Sequence, residues 1–274
     1  MPHPSEQPLL YSPPYRGLKR GATGCNVRAR GHTGAYARFR TINIKCKQKM
    51  KMKDLFPYSF ENLREMWRTN EEVLQPMVAR MRNDRSEWCR RMMEPPYQLS
   101  EEQVRHAASR YRLGGSRKGD TVFWLIDQHG QAKDAMVGDT WASELLKQHD
   151  MLDREWCPHH CLFGLHLLGQ TPLTAIVESV KSCVLLSELF PQYTWMATGY
   201  AGNMNADALV PLIGQQVVCF PNTDPTGSNC LLWQSISKEA RHLHVHIVVN
   251  TLLEQRATPA QKERKIDLVD FLFP

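Results

Sequence analysis

An α/β fold built on a parallel sheet of about four strands follows from three features of this sequence. Three short runs rich in β-branched residues, within TAIVESVKSC (174–183), YTWMATGYAGN (193–203) and QQVVCFPNTDPTG (215–227), each end at a polar residue or a glycine. Segments with helical spacing separate them. The runs are near-continuously apolar rather than alternating, which is how strands covered on both faces read.

The chain divides into three stretches. Residues 1–53 hold twelve Lys/Arg against the single acid Glu6, with abundant Pro and Gly and no sustained periodicity. They read as a disordered basic arm. Such an arm suits phosphate backbones; equally, it is a floppy tail outside the natural product, since Met50 and Met52 directly precede the first periodic segment. The whole chain carries +6, so residues 54–274 sum to +6 − 11 = −5 and the body is mildly acidic.

Residues 54–165 read as a helical and β-hairpin region. Phe60, Leu63, Met66, Trp67 and Leu74 give an apolar helical face across Asp54–Met93, interrupted by Pro76. EPPYQ at 94–98 is a break. Ser100 opens a second helix with a capping box to Gln103, followed by apolar Val104, Ala107, Ala108 and Tyr111. Gly114-Gly115 is expected to end it. Thr121–Ile126 and Ala132–Val137 read as hairpin strands around the turn Asp127–Gly130. Thr140 is expected to cap a short helix through Gln148. In WCPHHCLFG, the residues Cys157, His159, His160 and Cys161 crowd four zinc-type ligands together, but no second ligand pair stands at a closing distance. No structural zinc is expected, and Cys161 and Leu162 are expected to pack at the entrance to the sheet.

Residues 166–274 read as the α/β domain. Pro172 precedes the first strand, Leu173–Val177. Ser179–Phe190 is helical, buries Val180, Cys183, Val184 and Leu185–Leu186, and stops at Pro191. The second strand is Thr194–Thr198. A short helix at Ala206–Ile213 leads to the third strand, Gln216–Pro221. Leu231–Leu243 is an amphipathic helix and His244–Asn250 a fourth strand. DLVDFLF closes the chain as a helix or strand.

With 274 residues, 42% of them apolar and 23% charged, the chain has ordinary globular composition. No apolar run approaches the length of a membrane span, and the N-terminus lacks the apolar core of a secretory signal. A cytoplasmic protein with reduced cysteines and no membrane partner is expected.

In parallel sheets, ligands sit at the carboxyl ends of the strands. Glu178, Gly199, Asn222 and Asp224 fall at such ends. Carboxylates on neighbouring tips can hold Mg²⁺, which retains waters and is completed by phosphate oxygens. Gly199 and Gly202 allow a ligand to approach the backbone.

Glu178 in I-V-E-S-V-K, the turn A-T-G-Y-A-G and N-x-D-x-x-G at Asn222–Gly227 resemble the Toprim domain, over roughly Leu173–Asn250. That domain is shared by bacterial primases, type IA and type II topoisomerases and some nucleases. From about Ser100 onward the chain also resembles an uncharacterised primase-like family of bacterial mobile elements, through C-L-F-G-L-H-L-L at 161–168, I-V-E-S at 176–179 with Lys181, F-P-N at 220–222 and D-L-V-D-F-L at 267–272.

The resemblance implies Mg²⁺-dependent phosphodiester chemistry, nucleotidyl transfer or cutting, on nucleic acid, with DNA the expected polymer. It implies replication or mobilisation partners such as a helicase. By the same resemblance Glu178 is a general acid/base or metal ligand and Asp224 a metal ligand. Gly199, Gly202 and Gly227 then lie along the phosphate path. Lys181, one turn after Glu178, either meets a phosphate or is an ordinary helix lysine. Asp267 and Asp270 either add acids to the site or cap the last helix.

The first acid of the family's D-x-D-x-x-G is Asn222 here, a neutral carbonyl in place of a charge, which weakens Mg²⁺ binding. Two alternatives therefore stand beside the enzyme: a catalytically weakened Toprim-fold protein that binds DNA or a partner, and an α/β domain that binds a small phosphorylated ligand.

Overall fold

The computed structural model describes residues 74–138, 140–148, 158, 160–200 and 203–274. The basic arm, the apolar face at Phe60–Trp67, and Cys157, His159 and Gly202 lie outside the described residues.

The described chain begins with helix α1 (Leu74–Arg80), which carries Pro76 in its first turn, where a missing N–H has no intrahelical partner to lose. Helix α2 (Glu87–Met93) follows. Helix α3 (Glu101–Arg110) starts at the expected capping box: Gln103 N–H donates to Ser100 Oγ at 3.2 Å, and Ser100 N–H to Gln103 Oε1 at 3.0 Å.

Gly114 and Gly115 do not form that helix's terminus. They are strand β1 (Gly114–Gly115), antiparallel to β2 (Thr121–Ile126). A Cβ on Gly115 would lie 2.3 Å from Asn83 Nδ2, so the pairing depends on the bare backbone. Strand β3 (Ala132–Val137) returns as expected and pairs with β4 (Thr140–Trp141). Thr140 is thus in a strand, and the start of α4 (Ala142–Gln148) is held instead by Asp134, whose Oδ1 accepts Ser143 N–H at 3.2 Å.

The second sheet is parallel throughout. Strands β5 (Leu173–Val177), β6 (Tyr193–Ala197), β7 (Gln216–Cys219) and β8 (His246–Val249) lie in the order β6-β5-β7-β8. Helix α5 (Val180–Leu189) joins β5 to β6, and α6 (Ala206–Leu209) with a 3₁₀ turn at Val210–Leu212 leads to β7. Helix α7 (Ser228–Ala240) joins β7 to β8, starting three residues before the expected Leu231. Helices α8 (Leu252–Arg256), α9 (Pro259–Glu263) and α10 (Leu268–Leu272) close the chain.

Alternation along the strands separates two cores. Ala175, Val177, Trp195 and Ala197 pack with Val180, Cys183, Val184 and Leu186 of α5, together with Ala107, Tyr111 and Phe123 of the first region. Ile176, Met196, Val217, Cys219 and Ile247 face the other way, against Leu209, Leu212 and Trp233. Helices therefore cover opposite faces before and after β6, and the chain reverses direction across β5. That places the topological switch, and its crevice, between the carboxyl ends of β5 and β7.

Two contacts tie the first region to the edge of this sheet. Tyr111 Oη donates to the Trp195 carbonyl at 2.9 Å. Phe163 forms an antiparallel bridge with Ala197, its N–H donating at 2.8 Å and its carbonyl accepting at 3.0 Å. Gly164 is required beside it: its φ is +82°, and a Cβ would lie 2.8 Å from the Trp195 carbonyl oxygen.

Candidate functional site at the strand tips

Glu178 directly follows β5, and the loop Asn222–Gly227 follows β7, so their tips are neighbours through the β5–β7 ladder. Hydrogen bonds draw them together. Glu178 Oε1 accepts Asn222 N–H at 3.0 Å and the side-chain amide of Asn229. Asn229 in turn donates its backbone N–H to Asp224 Oδ2 at 2.7 Å. One residue thus couples the two acids. Burial pushes the Glu178 carboxyl up from its ordinary range; the bonds from Asn222 and Asn229 oppose that, and the charges of Asp267 and Asp224 reinforce it.

Asn222 Oδ1 is buried with no hydrogen-bond partner among the described residues. An oxygen left in that state at a strand tip costs free energy unless something binds it.

Asp224 is differently employed. Its Oδ1 accepts from Thr226 N–H (2.9 Å), Thr226 Oγ1 (2.6 Å), Ser228 N–H (3.1 Å) and Ser228 Oγ (3.1 Å), while Oδ2 accepts from Asn229. Burial would raise its proton affinity, but the donors from Thr226, Asn229 and Ser228 overcome this and hold the carboxyl well below the usual range. These bonds close the turn at the start of α7. Gly227 is the N-cap there, with φ +69° and Glu254 Oε1 3.3 Å from where its Cβ would lie.

The C-terminal segment reaches the same loop. Thr223 N–H donates to the Ile266 carbonyl at 2.9 Å, setting Asp267 beside α5, where it accepts from Ser182 Oγ. Asp267 and Asp270 form a reciprocal capping box for α10, Asp270 N–H donating to Asp267 Oδ1 at 2.9 Å. Burial raises the Asp267 carboxyl, against the opposing bonds from Ser182 and Asp270. Asp270 is exposed on that helix.

Of the remaining expected residues, Gly199 joins the strand tip through its backbone, its N–H donating to the Glu178 carbonyl at 2.9 Å. Lys181 lines a cavity of about 210 Å³ with Glu87, Trp88, Arg91 and Thr121. Gly199 has φ +81°, and its Cα faces Trp141 and Met136 rather than open space. Among the described residues, no group of three or more His, Cys, Asp or Glu side chains is arranged to hold a metal ion.

Two groups escaped the sequence reading. Asn229 gives no signal beyond lying five residues after Asp224. Asp134 sits in a hairpin strand, yet is fully buried and accepts Ser143 Oγ at 2.6 Å and bonds His160 Nε2 at 2.7 Å. An acid within an apolar strand was the available hint.

Residues 96–223 match a protein family described as a domain of unknown function (DUF6371). That span includes Asp134, His160, Glu178, Lys181, Gly199 and Asn222, and stops one residue before Asp224. No curated protein and no solved structure matches the chain. Among the described residues, no helix is long and apolar enough to cross a membrane.

Proposed function

We propose that this chain is a Toprim-type, primase-like nucleic-acid protein of the weakened kind, whose crevice is suited to holding a phosphate backbone through one hydrated Mg²⁺. The observation that carries the reading is the bond from the Asn222 backbone N–H to Glu178 at adjacent strand tips, with Asn222 Oδ1 left without a partner among the described residues. These two oxygen donors fit Mg²⁺, which takes one or two protein carboxylates and completes its shell with water and phosphate. When bound, the ion neutralises phosphate charge. Glu178 and Asn222 would hold it, and Asn229 fixes Glu178 through its side-chain amide. Asp224 shapes the loop, since all five of its recorded donors are internal. A second metal position would need a further uncommitted acid, and Asp267 is bound to Ser182 and to its helix.

An acidic body of −5 binds DNA weakly by itself, so the reading places the cationic surface on the basic arm or on a replication or mobilisation partner such as a helicase.

The enzyme reading, nucleotidyl transfer or cutting, is favoured by one feature: Glu178 is a buried carboxyl with raised proton affinity in a crevice, a common mark of an acid/base residue. In that case Glu178 would hold or move the proton of the attacking hydroxyl.

Calorimetric titration with Mg²⁺, followed by single-stranded DNA binding with and without the ion, tests both. Mg²⁺-dependent DNA binding that disappears in Glu178→Ala, without product from labelled nucleotides, is expected. Primer or nick formation would replace the binding reading by the enzyme. Failure to bind either Mg²⁺ or DNA would overturn both.

A further inference from the structure

The −5 carried by the body is an average over oppositely charged parts. Residues 74–118 hold ten Lys/Arg against five Asp/Glu, while residues 119–274 hold ten against seventeen. The first part is therefore +5 and the second −7, with the remaining −3 in residues 54–73. A summed charge hides such a division. A locally cationic surface attracts phosphate even on a protein that is acidic as a whole.

The cationic part is also grooved. One cavity, of about 390 Å³, lies between the loop Arg82–Asp84 and helix α3, with Arg105 on its wall. A second, of about 330 Å³, shares Asp84 and Arg105 with the first and adds Arg85 and Arg90. Together they make a trough lined by four exposed arginines against the acids Asp84 and Glu101. The loop that bears Arg82 and Arg85 is pinned. Asn83 N–H donates to the Leu113 carbonyl at 3.0 Å, Gly115 N–H to the Met81 carbonyl at 3.0 Å, and Arg85 N–H to Asn83 Oδ1 at 2.7 Å. Arg90 reaches the turn that carries Arg117 and Lys118, its Nη2 3.7 Å from where a Cβ on Gly119 would lie. Among the described residues, Arg82, Arg85 and Arg90 make no ion pair, and Arg105 meets Glu101 through Nε alone, 3.9 Å from its carboxylate.

Exposed guanidinium groups set along a trough on a fixed backbone suit a chain of repeated anions. Each arginine presents a planar fork that takes two phosphate oxygens at once. We propose that this trough binds the phosphate backbone of a single DNA strand through Arg82, Arg85, Arg90 and Arg105, independently of any metal. The polymer's identity rests on the nucleic-acid reading above; the segregation of charge and the trough do not.

The probe is a labelled oligodeoxythymidylate, titrated into the full chain over a range of salt with magnesium chelated. Two variants of equal charge are compared. One carries Arg82→Gln, Arg85→Gln, Arg90→Gln and Arg105→Gln. The other removes four exposed cations elsewhere, by Lys238→Gln, Arg241→Gln, Arg256→Gln and Arg264→Gln. Wild-type melting temperatures check both folds. The trough variant is expected to bind roughly tenfold or more weakly, and its slope of log affinity against log salt to be flatter by about 3, since each single-strand phosphate contact contributes about 0.7. The control variant should change much less in both. Equal losses in the two variants assign the effect to net charge and overturn the trough, as does a trough variant that binds like wild type. Poly-L-glutamate that displaces the strand as well as unlabelled DNA does gives the trough to an acidic protein and overturns its DNA reading. Glu178 is intact and the metal absent throughout. Magnesium-dependent DNA binding with an unaffected trough variant therefore sinks this proposal alone, and metal-free binding lost in that variant survives a failed magnesium titration.

Discussion

The carboxylate of Glu178 accepts the backbone N–H of Asn222 at 3.0 Å across forty-four residues of chain. The side chain of Asn222 is left with an oxygen that none of the described residues satisfies. Placing an acid there is the sharpest probe of the crevice. Asn222→Asp should tighten Mg²⁺ binding about tenfold or more, because a full charge replaces a neutral carbonyl. Without metal it should destabilise the fold on the order of 1 kcal/mol, since the new charge sits beside Glu178. Calorimetry and thermal melts with and without Mg²⁺ measure both; an unchanged Mg²⁺ affinity contradicts the cation site.

Glu178 should govern a pH dependence. Its folded carboxyl is raised above the ordinary 4.5, so the native state favours the protonated form. This penalty is absent below the unfolded value, grows as pH rises through the folded one, and is complete above it. Glu178→Gln keeps an acceptor oxygen for Asn222 N–H and removes the charge. It should be more stable than wild type near neutral pH, on the order of 1 kcal/mol, with the gap vanishing below about pH 4. Denaturant melts across pH test this, and a gap that widens toward acid would refute it.

Asp224 has the opposite sign. Its folded carboxyl lies below the ordinary 3.8, so its stabilisation is present above that value and is lost as pH falls through the depressed range. Asp224→Ala removes the acceptor for the start of α7 and should cost about 1–3 kcal/mol at neutral pH. The difference from wild type should narrow below about pH 3.8. A loss of Mg²⁺ binding with full stability would instead make Asp224 a ligand.

Gly199 should resist substitution for two reasons. At φ +81° an L-residue is strained by about 1–2 kcal/mol. An added Cβ would also approach two Trp141 ring atoms at 3.2 Å and Met136 Sδ at 3.3 Å. Gly199→Ala should therefore lower the melting temperature and disturb the Trp141–His160 stack, seen as altered tryptophan fluorescence. A neutral result would mean the turn relaxes freely.

Much of this architecture could be read in one dimension. Capping at Ser100 and the β-branched runs at 173–177, 194–198 and 216–221 are local signals, because a cap or a doubly covered strand leaves its mark within a few residues. The sheet's strand ends put Glu178 beside Asn222 for the same reason. Gly114-Gly115 misled because glycine is weak evidence for a strand, and here the pairing depends on Asn83 needing the space of a side chain. Asn229, the Asp134–His160 pair and the setting of Lys181 were illegible because each depends on segments brought together from far apart in the chain.

The Tyr111 hydroxyl and the Phe163 bridge both land on β6, which would otherwise present an open rim of amide and carbonyl groups. Unsealed rims template intermolecular pairing. A shortened protein beginning at residue 166 should consequently self-associate, with light scattering rising at concentrations where the full chain stays dispersed. Any trimming of the amino-terminal half for crystallisation or screening has to keep Tyr111 and Phe163.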